Sequence, residues 1–136
     1  NLYSSGGNIL VENHSGTLLI NSEKGNIIIE EAVGGIEAIT SSGDIDADLS
    51  YDSSVNDYSV YMETHLGNIK TIVPKNYPAN MENIVYQTTS IKSIDSEIIL
   101  NIDVEHEKVI GKRSIAGGII PFSLKAHHGT ITIKDK

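Results

Sequence analysis

The chain has 136 residues, no cysteine, and ten basic against eighteen acidic residues, for a formal charge of −8. That length fits a single domain, 1–136, able to bury a core without disulfide staples, and the missing cysteines also remove thiolate metal sites. The acidic balance disfavours nucleic acid as a partner, and no apolar run approaches the roughly 20 residues of a transmembrane helix.

The chain opens at Asn1 rather than Met, so a processed or trimmed piece is expected and the lack of a signal peptide carries no information. A regular repeat covers residues 7–48. Glycines fall at Gly7, Gly16, Gly25, Gly34 and Gly43. Two positions after each stands an aliphatic residue (Ile9, Leu18, Ile27, Ile36, Ile45), and two further on another (Val11, Ile20, Ile29, Ala38, Ala47). Spacing by two puts both aliphatics on one face of a strand. The glycine marks a turn that needs positive φ or a close backbone approach. Two such nine-residue units would close one coil, with two sheets sharing a narrow interior. Isoleucine, at 22 residues against one Phe and no Trp, suits a stacked core of this kind. An antiparallel meander is compatible with the same spacing. The varied corner sequences and the absence of Asn-Gly and Asp-Gly pairs favour the solenoid.

Beyond Leu49 the rhythm breaks, and inserted loops are predicted near 50–57, 75–83 and 105–114. Alternation returns with Val60, Met62, Thr64 and Leu66, then with Ile69, Thr71 and Val73 up to Pro74. A further strand is predicted where Ile98, Leu100, Ile102 and Val104 face inward and Asn101, Asp103 and Glu105 outward. Phe122 and Leu124 begin the last stretch, and Gly129, Ile131 and Ile133 repeat the opening motif. No segment shows a helical period. The expected fold is all-β: a single-domain parallel β-solenoid, or β-helix, of short nine-residue half-coils.

Three segments carry a family rhythm: EAITSSGDIDADL at 37–49, VYMETHLGNIKTIVP at 60–74 and SLKAHHGTITI at 123–133. They share a Thr-x-x-Gly-x-Ile signature at Thr40–Ile45 and Thr64–Ile69, with Ala126 in the Thr place at Ala126–Ile131, and Val73-Pro74 closes one strand. In these features the chain resembles a bacterial and archaeal adhesin family of unknown function, the toastrack domains. The resemblance implies a right-handed, β-helix-like fold, exported or associated with the cell envelope, and it implies no catalytic residues.

Several constellations invite a chemical reading. Asp44, Asp46 and Asp48 lack the glycine and glutamate of a calcium loop, since Leu49 and Val55 hold those places, and they read as one solvated strand face. His14, His65 and His127 each stand two residues before a repeat glycine. Stacked corners could bring His65 and His127 together with Glu63 around zinc, but tolerance of His at an exposed corner explains the pattern, so no metal site and no cofactor is expected. Outward acids of the kind that carbohydrate-processing β-helices group on one sheet are abundant (Asp46, Asp103, Glu105, Glu30), but in a chain of charge −8 abundance is weak evidence, and nucleophile and phosphate-loop motifs are absent. Leu10, Leu19 and Ile28 stand three residues after their glycines and should face outward as an apolar stripe. Tyr51, Tyr58 and Tyr61 lie in or beside the first insertion, where they either offer aromatic contacts or anchor the loop. These six residues are the candidate partner contacts. The expected function is a non-catalytic surface or envelope module that binds a protein or glycan and self-associates through its N-terminal end. A polysaccharide-acting β-helix enzyme and a purely structural oligomerisation unit are the alternatives.

Overall fold

The computed structural model describes residues 1–54 and 59–136. Fourteen strands among the described residues account for the architecture: β1 (Leu2–Ser4), β2 (Ile9–Glu12), β3 (Leu18–Lys24), β4 (Ile27–Ala32), β5 (Ile36–Ser42), β6 (Ile45–Leu49), β7 (Val60–Leu66), β8 (Ile69–Val73), β9 (Ala79–Tyr86), β10 (Ile94–Ser96), β11 (Asn101–Glu105), β12 (Lys108–Ser114), β13 (Ile120–His128) and β14 (Ile131–Asp135). They form an eight-stranded sheet, ordered β1-β3-β5-β7-β13-β9-β12-β11, and a six-stranded sheet, ordered β10-β14-β8-β6-β4-β2. Consecutive half-coils alternate between the sheets, and their strands pair in parallel with the coils above and below. This is the predicted β-solenoid.

The rung spacing follows from two half-coils per turn: Asn8 and Asn26 meet across 18 residues, and so do Asn26 and Asp44. Across the first insertion the step lengthens to 24, between Asp44 and Asn68, without a change of face. Aliphatic pairs therefore stack on like residues, with Ile9 beside Ile27, Ile27 beside Ile45 and Ile45 beside Ile69. Ile27, Ile45, Ile69, Ile131 and Ile133 are sealed from solvent, and Tyr77 and Phe122 fill the core with rings set edge to face.

The corner chemistry explains the glycines. At Gly25 (φ +125°) a side chain would run into the carbonyl of Gly7, and at Gly43 into that of Gly25. The rungs touch through their backbones at this corner. The residue after each of these glycines builds a ladder: Asn8 Oδ1 accepts from the Asn26 amide at 2.9 Å, Asn26 Oδ1 from Asp44 at 2.9 Å, Asp44 Oδ1 from Asn68 at 2.8 Å, and Asn68 Oδ1 from Thr130 at 2.9 Å. The Thr of the signature is structural as well, for Thr40 and Thr64 donate to the carbonyls of Gly25 and Gly43.

The later chain departs from expectation in four respects. The segment 75–83 is not wholly a loop, because β9 begins at Ala79. The segment 105–114 is largely strand, because β12 pairs antiparallel with both β9 and β11. The β11–β12 turn uses His106 (φ 41°) and Glu107 (φ 61°), a two-residue hairpin turn made without Asn or Gly. Ile102 and Val104 do share the inner side of their strand, yet they remain 39% and 45% exposed. The eight-stranded sheet simply extends past its six-stranded partner, so β11 has no opposing layer. A final difference is order along the stack. The coil β13–β14 is last in sequence but sits between β7–β8 and the pair β9 and β10.

Candidate functional site

The outward faces of β7, β13 and β9 meet in one polar and aromatic cluster. Alternation along β7 turns Tyr61, Glu63 and His65 away from the core, while Met62 and Thr64 are buried. Register places Lys125 opposite Glu63, and His127 lies on the same outward row of β13. On the far side of β13, Ala126 pairs with Val85, which brings Tyr86 alongside His127.

The contacts are specific. Tyr61 donates its hydroxyl to Glu63 Oε1 at 3.0 Å, and His127 Nε2 donates to Glu63 Oε2 at 2.7 Å. The His127 ring is sandwiched, with His65 stacked at 4.4 Å and 7° on one face and Tyr86 at 4.6 Å and 11° on the other. Lys125 Nζ lies over the Tyr61 ring, 5.4 Å from its centroid. Partial burial pushes the Glu63 carboxyl up, but the hydrogen bonds from His127 and Tyr61 and the nearby imidazoles outweigh it and hold the group below its ordinary value. Burial, followed by the hydrogen bond to Glu63 and that carboxylate's charge, drives the Tyr61 phenol up to about 12. Glu63 is thus a fixed anion and Tyr61 a fixed donor.

Of the six candidate contact residues, the structure scatters most. Leu10 and Ile28 are neighbours on the outer face of the six-stranded sheet. Leu19 belongs to the other sheet, where it neighbours Glu37. The single stripe expected from Leu10, Leu19 and Ile28 therefore divides, because successive half-coils belong to opposite sheets. Tyr51 packs inward, edge-on to the buried Tyr77 at 5.8 Å, which makes it the anchor of its loop. Tyr58 lies outside the described residues. Tyr61 faces outward and joins the cluster above. Of the three aspartates, Asp44 belongs to the corner ladder, Asp48 pairs with Lys136 at 2.9 Å, and Asp46 is exposed on the strand face.

His65 and His127, which the spacing of their glycines marked, are brought together with Glu63. Tyr86 has no motif and falls just past a stretch predicted as loop, so sequence reasoning missed it. The ladder was visible as Gly-Asn, Gly-Asn and Gly-Asp at Gly7, Gly25 and Gly43, resumed as Gly-Asn at Gly67. That period of 18 is hidden when each nine-residue unit is treated alike.

No family model, curated protein or solved structure matches this chain.

Proposed function

We propose that the chain is a non-catalytic binding module that presents a rigid solenoid face to a protein or glycan at the cell surface or envelope, in keeping with the adhesin family it resembles. The carrying observation is the division of labour between faces. Glycine, Asn and Thr ladders and the isoleucine stack hold the rungs, leaving the outward rows of β5, β7, β13 and β9 free to carry Tyr61, Glu63, Lys125, His127 and Tyr86 on a broad sheet. Side chains held on paired strands are better fixed than side chains on loops. Partly exposed aromatics beside charged groups form the kind of surface that engages polar partners.

The test is binding of the purified chain to isolated envelope polysaccharide and to whole cells, read alongside release of reducing ends. Saturable binding, weakened by Tyr61→Ala and Lys125→Ala without loss of fold, is expected. Time-dependent release of reducing ends would replace this reading with the polysaccharide-acting enzyme.

The oligomerisation reading has its own support. Among the described residues, β1 and β2 have a strand partner on one side only, and Leu2, Tyr3 and Leu10 there are 40%, 65% and 56% exposed. An end rung left open is a template for another chain. Sedimentation velocity should show association that Leu2→Lys and Leu10→Glu abolish; a monomer at high concentration removes this reading.

A further inference from the structure

Among the described residues, Glu63, His65 and His127 each offer a ligand atom, and all three atoms lie within 4.8 Å of one another. We propose that these side chains bind one divalent transition-metal ion, with zinc as the first probe. The donor set of two imidazoles and a carboxylate suits zinc, copper or nickel, and suits calcium or magnesium poorly.

Geometry favours a site over a chance pairing. Donors around a tetrahedral zinc stand about 3.3 Å apart, so His127 Nε2 and Glu63 Oε2, at 2.7 Å, need only open slightly, and His65, whose donor lies within 4.8 Å of both, closes on them. His65 is exposed near the end of β7, so of the three it is the ligand with room to turn. The other two ligands are already held. His127 stays backed by Tyr86 and bonded to Glu63 when His65 turns, and Tyr61 fixes one carboxylate oxygen of Glu63 and leaves the other toward His127. Such outer partners orient ligands in metal sites. On binding, the ion takes the place of the proton between His127 Nε2 and Glu63 Oε2, and the imidazole passes to its Nδ1–H tautomer. Lys125, opposite Glu63, lies over Tyr61 and not on the carboxylate, so a cation there meets an anion that no lysine has neutralised. The Glu63–His127 bond needs no second imidazole, yet His65 is stacked within reach of it.

Calorimetric titration of the 136-residue chain with zinc chloride should show a single saturable site. His65→Gln and Glu63→Gln should each weaken it by about tenfold or more, while the triple variant His14→Gln, His106→Gln, His128→Gln retains it. Cobalt(II) should give visible d–d absorption in the native chain and lose it in His65→Gln. Circular dichroism checks that each variant is folded; if His127→Gln fails to fold, the exposed His65→Gln still decides. Absence of saturable zinc binding, or affinity unchanged in both His65→Gln and Glu63→Gln, overturns the proposal.

Discussion

At Gly25 and Gly16 the same residue type answers two different demands, and substitution can separate them. Both have positive φ, at +125° and +106°, but a Cβ on Gly25 strikes the Gly7 carbonyl whereas one on Gly16 meets nothing within 4 Å. Gly16→Ala should therefore cost only backbone strain, about 1–3 kcal/mol. Gly25→Ala must also force two rungs apart and should cost clearly more, with urea denaturation comparing the pair. Equal losses would mean that the rungs can separate freely. A similar contrast tests the inward and outward rows. Ile27 is wholly buried and Asp46 is exposed on adjacent strands of one sheet. Ile27→Ala should cost about 2–5 kcal/mol as a cavity, and Asp46→Ala less than about 0.5 kcal/mol.

The elements legible from sequence were those that obey the repeat. In β2 to β6 each strand is announced by a glycine and by aliphatics two apart, and beyond the inserted loop Gly67 and Ile69 restore the phase for β8. The last coil was legible for the same reason, through Gly129, Ile131 and Ile133. What stayed hidden was the antiparallel extension, where pairing is set by a turn whose residues carry no turn signal. His106 and Glu107 adopt positive φ because β11 and β12 impose it, and the cost falls on the hairpin. The cluster was half legible. The glycine phase aligned His65 with His127, but Tyr86 reaches them only because β9 docks on the far side of β13. Replacing His106-Glu107 by Asn-Gly should raise the denaturation midpoint by about 1 kcal/mol of stability, since both residues tolerate the left-handed region. Hydrogen exchange should place the gain in 101–114. A lower midpoint would show that the native side chains make contacts worth more than the turn strain.

For the whole molecule, the decisive feature is that the chain skips a rung and fills it last. After β8 the chain passes to β9, leaving space that β13 and β14 later occupy in parallel with neighbours on both sides. The bond from the Thr130 amide to Asn68 closes a span of 62 residues, against 18 for an ordinary rung. Closing the longer loop costs more entropy and should come late in folding. Solenoid rungs depend chiefly on their immediate neighbours. The four coils from β1 to β8 can therefore stand with only their end exposed, while β9 and β10 lose their link to the stack if the last coil is absent. A chain ending at Ile119 should keep slow amide exchange in β3 to β6 but lose it in β9, β10 and β12. A peptide of residues 120–136 added in trans should restore protection by entering the vacant rung. If the truncated chain protected β9 to β12 as fully as the intact one, the inserted coil would not be what binds the two ends together. If β3 to β6 also opened, the stack would be a single cooperative unit, not a series of rungs.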